Sequence, residues 1–328
     1  MRNISKLFYK DYFKKINFNY LFENNDGTKK QIKKSNNSQI KSNNKRLIED
    51  TANYWNKKVI ENPCCNSKQS IDAKIQYPGL ITGIGINHEA SIEEEFKLGV
   101  HFDYTYGVPV IYGSSVKGVL RSAFPEKEVR KKENESEEER KERIRKNKIR
   151  ECKCRMILNY LKEKDDKRLP EIDIDKFRDW IFEGIEKIEI TKDNENNEKV
   201  KIHYLSIYKR DIFFDAVIKK PYEKKNRKGE VLYERILESD SITPHIKQDL
   251  SYEESMLKNP IPITFMKIAS GVTMEFRFDL KDYVVNEKIV VSAEKKKELF
   301  KNIFKDFGIG AKTNVGYGQF SEVKSSAK

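Results

Sequence analysis

The sequence predicts a mixed α+β domain, and three patterns carry that reading: one stretch of strict alternation and two amphipathic helical stretches, each closed by a helix breaker. In Val272 to Leu280, the residues Val272, Met274, Phe276, Phe278 and Leu280 alternate with Thr273, Glu275, Arg277 and Asp279. A strand there has one apolar and one polar face, as a half-buried sheet strand requires. After Gly113-Ser114-Ser115, the residues Val116, Val119, Leu120, Ala123 and Phe124 fall at helical spacing, and Pro125 closes the pattern. After Ser292, Leu299, Phe300, Ile303, Phe304 and Phe307 form one stripe that stops at Gly308, where a left-handed cap costs little.

Further strands are predicted at Ile75 to Gly85, Lys97 to Tyr104, Asp211 to Ile218 and Ile261 to Ala269. Two polar blocks interrupt this pattern. From Asn24 to Arg46 the chain is rich in Asn, Ser and Lys, with Ile32 and Ile40 its only aliphatic residues, which predicts a mobile basic segment. Its charge either contacts nucleic acid or stays solvated. Glu128 to Arg150 alternates Glu with Lys and Arg; pairs such as Glu139 with Arg143 and Glu142 with Lys146 favour a helix there, inserted without disturbing the fold. No tandem repeat is present.

A chain of 328 residues buries a sizeable core, in one elaborated domain or two compact ones. With 65 Lys and Arg against 52 Asp and Glu, the formal charge of +13 makes a polyanion the expected partner, nucleic acid first. A membrane is a poor alternative. No apolar run reaches the roughly 20 residues a span requires, and the cations are spread rather than gathered in one block. The opening MRNISKLFYKDYF lacks the apolar stretch and cleavage site of a secretory signal, so a cytoplasmic protein is expected. Cys64-Cys65 and Cys152 with Cys154 match no zinc spacing and read as free thiols. No metal and no cofactor is expected.

Two clusters carry chemistry. In the helix that follows Gly113, the apolar stripe faces a core and leaves Lys117 and Arg121 side by side on the other face. Gly113, Ser114 and Ser115 bring backbone N–H groups, two hydroxyls and the positive end of the helix dipole to one spot, a ready anion site. The plainer alternative is a well-capped amphipathic helix with two ordinary surface cations. Gly118, inside the helix, costs about 1 kcal/mol relative to Ala and would let another backbone approach closely. The second cluster is GIGAKTNVGYGQF, Gly308 to Phe320, whose four glycines permit positive φ and close approach. Lys312-Thr313 after glycines suggests a P-loop, yet Ala311 stands where that motif needs Gly and a helix precedes it, so the ATPase reading fails. These glycines serve either tight packing against the first helix or direct contact with RNA.

HFDYTYGVPVIYGSSVKGVLRSAF, from His101 to Phe124, together with the terminal GIGAKTNVGYGQF, resembles the RAMP superfamily of CRISPR proteins. Within it the chain is similar to the family of sixth-named Cmr subunits of type III-B effector complexes. FFDA from Phe213, TPH from Thr243 and NPIPITF from Asn259 stand in the order those subunits show, and the resemblance runs from about Tyr77 to Val323. Tyr112 departs from it, standing where the family usually has Pro.

The resemblance implies a ferredoxin-like core of the RNA-recognition-motif type, with a mixed or antiparallel sheet, a helical insertion and a C-terminal glycine-rich loop. It divides the chain into an N-terminal extension, 1–74, with the mobile basic segment 24–46; a RAMP domain, 75–323, with a charged insertion at about 126–155; and a tail, 324–328. The implied function is structural and non-catalytic: holding the 3′ part of a guide RNA and capping a filament of related subunits in antiviral defence. The implied partners are the CRISPR guide RNA, the backbone RAMP subunit, the small helical subunit and another RAMP subunit, with target RNA met only indirectly. A protein that holds a strand of varying sequence suits phosphate and 2′-hydroxyl contacts, because base readout would defeat the purpose. Gly113, Ser114, Ser115, Lys117 and Arg121 are therefore expected to grip the guide, with Lys312, Thr313, Asn314 and Tyr317 bordering the same groove.

The rival is a RAMP endoribonuclease that processes precursor CRISPR RNA, which would need an acid–base group beside the scissile phosphate. Of His88, His101, His203 and His245, His88 in the loop after Gly83-Ile84-Gly85 is the least implausible catalyst, and it has no partner that the sequence can place beside it. Asp103 and Asp215 lie nearest the recognised motifs, and neither sits in a cluster with metal-ligand spacing.

Overall fold

A computed structural model describes residues 4–49, 67–82, 92, 94–96, 99–162, 171–192, 198–242 and 262–322. At its centre is an antiparallel sheet in which β14 (Phe320–Glu322), β1 (Gln69–Ile75), β11 (Thr273–Asp279), β6 (Ala216–Lys220) and β2 (Val110–Ile111) lie side by side in that order, with β5 (Ile212–Phe213) pairing the far end of β11. The alternation read from Val272 to Leu280 fixes the sheet's two faces. Val272, Met274, Phe276, Phe278 and Leu280 are all buried, and the register sets Ile71 opposite Phe276 and Ala73 opposite Met274.

Two helices supply the core's other side. Helix α2 (Gly113–Ala123) buries Val116, Leu120 and Ala123, while α5 (Ala293–Phe307) buries Leu299, Phe300, Ile303 and Phe304 and packs on β1 and β14. Ser292 caps α5, its hydroxyl accepting from the Lys295 N–H at 3.2 Å. Gly308 ends α5 with φ 66° but ψ −169°, so the backbone leaves in a mirror-extended conformation rather than through the left-handed cap the sequence predicts. Aromatic rings fill the layer between, among them Phe276 on Phe304 at 4.4 Å and Phe213 on Phe278 and Phe300 at 5.9 Å.

The polar face of the same strands is neutralised from within. The Lys219 amine donates to both oxygens of Asp72 at 2.9 and 2.8 Å and lies 3.4 Å from Glu275, which also pairs with Arg277 at 2.7 Å. Asp72 and Glu275 face each other across β1 and β11, and Lys219 relieves that like-charge contact.

The remaining elements surround this core. Helix α1 (Asp26–Glu49) lies in the basic segment, α3 (Glu137–Leu161) in the charged block, and α4 (Ile174–Glu183) follows, capped by Asp173. Four antiparallel pairs stand outside that sheet: β3 (Ile185–Lys192) with β4 (Glu198–Tyr204), β7 (Tyr222–Lys225) with β8 (Val231–Arg235), β9 (Leu237–Ile242) with β10 (Ile263–Ile268), and β12 (Tyr283–Val285) with β13 (Lys288–Val291).

Five expectations change. The segment from Asn24 to Arg46 is not a mobile tract: Ile40 and Leu47 are buried, and Asn36, 2 % exposed, trades two hydrogen bonds with the Asn17 backbone at 3.0 and 2.8 Å. Few apolar residues suffice when a buried amide satisfies the backbone of the preceding loop. In α3, Lys146 does pair with Glu142 at 3.7 Å, but Arg143 turns to Glu135 because Glu139 is drawn into a capping box with Ser136. The strand expected from Ile75 to Gly85 lies earlier, since β1 ends at Ile75 and a turn at Tyr77 to Gly79 follows. Between Lys97 and Tyr104, the described residues make only the single bridge of Phe102 with Pro109. Gly118 meets nothing where its Cβ would stand, so no backbone approaches it. Gly118→Ala is thus expected to stabilise the fold by about 0.5–1 kcal/mol, measured by urea denaturation.

Candidate nucleic-acid interface

The two clusters singled out in the sequence meet across one cleft. A cavity of about 290 Å³ separates Ser115 and Val119 of α2 from Ile309, Gly310 and Ala311 of the glycine-rich segment, with Ile111, Thr82 and His101 completing its walls. Its volume is near the lower limit of ligand pockets, about 300 Å³.

On the helix side, Gly113 is fixed by packing. A Cβ there would collide with the Phe213 carbonyl oxygen, so only glycine lets α2 start against the strand end that carries Phe213. The Gly113 N–H donates to Asp215 Oδ1 at 2.6 Å, and the Ser115 and Val116 N–H groups both turn back to the Tyr112 carbonyl at 2.8 and 3.0 Å. The anion site read from the helix start is therefore partly filled by the chain's own carboxylate. What this end still presents outward is the exposed pair Ser114 and Ser115. Lys117 is half-buried on the same helix, and the exposed Arg121 makes a 2.9 Å ion pair with Glu183 at the end of α4. At that exposure such a pair is worth about 0–1 kcal/mol and yields readily to a phosphate.

On the other side, the four glycines all take positive φ, but the segment packs against the chain that follows β1 rather than against α2. The Ala311 N–H donates to the Ile81 carbonyl at 2.8 Å, the Gly318 N–H to Gly79 at 2.8 Å, and the Gln76 N–H to Gln319 at 2.9 Å. Lys312 is exposed beyond Ala311, in left-handed backbone, with Thr313 half-buried and Asn314 exposed after it. Tyr317 does not border the cleft. Its ring is buried with Ile81 and Phe265, and its hydroxyl donates to Asp240 Oδ2 at 2.9 Å, beside the Lys267 amine at 2.6 Å from the same oxygen. Burial and that carboxylate push the Tyr317 phenol up to about 12.

Thr82 and His101 are the wall residues that sequence reasoning missed. The His101 N–H donates to Thr82 Oγ1 at 2.8 Å, and its ring lies 4.8 Å from that of Tyr112. Burial pushes the imidazole below its usual range, which favours the neutral ring. Nothing in the sequence marks Thr82, and His101 reads as one histidine of a predicted strand; it is the pairing of this stretch with Pro109 and Val110 that carries His101 to the cleft.

The two acids nearest the motifs have structural work: Asp215 caps α2, and Asp103 Oδ1 accepts the Tyr106 N–H at 2.6 Å in a tight turn. Among the described residues no group of three His, Cys, Asp or Glu side chains is placed to hold a metal ion. Nor is any described helix long and apolar enough to cross a membrane. His203 sits on β4 with its ring 3.1 Å from Glu189. His88, His245 and the rest of TPH, the Asn259 to Ile261 part of NPIPITF, Cys64-Cys65 and the tail lie outside the described residues.

The model of the RAMP superfamily matches residues 72–321. The CRISPR system Cmr subunit Cmr6 of Pyrococcus furiosus is 26 % identical over 281 residues, covering 78 % of this chain and 69 % of that protein. Among solved structures, a chain of the type III-B Cmr-beta complex bound to cognate target RNA aligns with 97 % of this chain and 84 % of its own, at 16 % identity and a TM-score of 0.42. The crystal structure of Cmr6 from Pyrococcus furiosus aligns with 78 % of this chain and 97 % of its own, at 22 % identity and a TM-score of 0.36.

Proposed function

Because this chain belongs to the RAMP superfamily, we propose that it is a structural subunit of a type III-B CRISPR effector complex in the cytoplasm, holding the 3′ part of the guide RNA and capping the backbone filament without cutting RNA itself. The observation that carries the reading is the cleft, where the exposed Ser115 faces a glycine-rich backbone, on a helix that also carries Ser114, Lys117 and Arg121 outside the cleft lining. Hydroxyls, cations and close backbone suit phosphate and ribose and ignore base identity. A ferredoxin-like core agrees with the strand order β14–β1–β11–β6 and with crossovers through α2 and α5. In an RNA-recognition-motif platform, aromatic rings on the open sheet face stack on bases. Here that face carries the Asp72–Lys219–Glu275–Arg277 network instead, which favours the cleft as the contact.

Lys117→Ala combined with Arg121→Ala should weaken guide binding and flatten its salt dependence by about 1–1.5, since each single-strand phosphate contact contributes about 0.7. Glu183→Gln, which releases Arg121, should raise affinity. An unchanged affinity and slope in the double variant would count decisively against this placement. The endoribonuclease reading draws on one observation, His101 in the cleft wall. Cleavage of repeat-containing RNA by the purified chain, abolished in His101→Ala, would favour it over a purely structural subunit.

A further inference from the structure

Helix α1 carries a charge pattern that its own stability argues against. Four of its first nine residues are lysines, Lys29, Lys30, Lys33 and Lys34, toward the positive end of the helix dipole. Lys29 with Lys33, Lys30 with Lys34 and Lys41 with Lys45 are like charges four apart, an arrangement that destabilises a helix. At 3.6 residues per turn, the exposed Lys30, Lys34, Lys41 and Lys45 fall on one flank and span about 22 Å. Lys41 pairs with Glu94 at 3.4 Å and Lys45 with Glu49 at 3.9 Å, through lysine side chains 63 % and 73 % exposed, so neither pair holds its cation firmly. Lys30 and Lys34 have no ion pair among the described residues.

Beside the helix start stands Phe22, 83 % exposed, with Leu21 and Phe18 also exposed. Unpaired cations on a helix, with an open aromatic ring four residues before its start, match the composition of single-strand binding surfaces. The helix packs on β9, and β9 supplies the Asp240 that holds Tyr317 of the glycine-rich segment, so one strand touches both the helix and that segment. This helix lies outside the residues matched to the superfamily.

We propose that α1 is a second RNA-binding element, its lysine flank taking the sugar–phosphate chain of a single-stranded stretch that continues from the cleft, with Phe22 offering a face to an unpaired base. The proposal rests on the reading of the cleft as an RNA site. The test uses the full chain and a labelled, unstructured single-stranded RNA. Lys30→Gln, Lys34→Gln, Lys41→Gln and Lys45→Gln together should lower affinity about tenfold near physiological salt and flatten the salt slope by about 2–3. The Tm should hold or rise, because repulsive pairs are removed. Phe22→Ala should weaken binding without changing the slope. If the fourfold variant binds as the parent does while the Lys117 and Arg121 variant is weakened, the helix assignment falls and the cleft stands. If neither variant loses affinity, both fall. Loss of binding to anionic phosphatidylserine vesicles with RNA affinity intact would give the flank to a lipid surface and overturn the proposal.

Discussion

Lys296→Ala is expected to destabilise the fold by about 3–5 kcal/mol, the largest single-residue loss foreseen here. Lys296 lies on the buried side of α5 with no exposed side-chain surface, and its amine is 2.6 Å from Asp211 Oδ2, also wholly buried. The other Asp211 oxygen accepts the Lys281 N–H at 2.7 Å. The pair thus pins α5 to the approaches of β5 and β12. Burial pushes the Asp211 carboxyl up and the Lys296 ammonium down, and their mutual attraction opposes both shifts. Removing one partner strands the other charge away from water, whereas replacing both with Lys296→Met and Asp211→Leu should restore most of the loss. Chemical denaturation of the three variants checks this. A single-variant loss below about 1 kcal/mol would mean that the pair behaves like a surface ion pair.

Gly318→Ala should cost about 2–5 kcal/mol. Its φ of 67° disfavours any side chain by about 1–2 kcal/mol, and a Cβ there would run into the Ile309 carbonyl oxygen, adding an overpacking penalty of about 1–3 kcal/mol. The Ile309 N–H donates to the Gly318 carbonyl at 2.9 Å, so the neck of the glycine-rich segment would open and its wall of the cleft would shift. A drop in denaturation midpoint together with faster proteolysis between Gly308 and Gly318 is the expected signature. Gly118→Ala, with open space around it, is the built-in contrast, since the same substitution moves stability the other way.

These two cases show what local pattern encodes and what it cannot. The alternation from Val272 to Leu280 and the stripes of α2 and α5 were legible because a repeat of two or of 3.6 residues survives in the residue types themselves. Lys296 was not, since a lysine within the run Glu294 to Glu298 looks like any solvated charge until its partner 85 residues away is in place. The same limit hid α1, where a buried asparagine replaces the apolar contacts that a pattern search counts. It also misplaced Tyr317, whose position among exposed loop residues gives no hint of Asp240. At the cleft, the sequence named Ser115 and the glycine-rich wall, while His101 arrives through its pairing with the Pro109–Val110 stretch and holds Thr82 from 19 residues earlier. Helix α4 shows the opposite failure: Asp173 at its start and Gly184 in left-handed backbone at its end were signals present but unread.

The β3–β4 hairpin bears on how the protein behaves by itself. Ile188 pairs with Ile202 and Ile190 with Val200, so one face of this two-stranded ribbon displays four aliphatic side chains to water, and its flanking backbone is unpaired among the described residues. A free ribbon of that kind invites copies of itself. What holds copies apart is the surplus of positive charge, whose reach shrinks from about 10 Å in 0.1 M salt to about 3 Å in 1 M. Concentrated salt, the usual means of stripping nucleic acid from a basic protein, is therefore expected to favour self-association, read as a rise in scattered light.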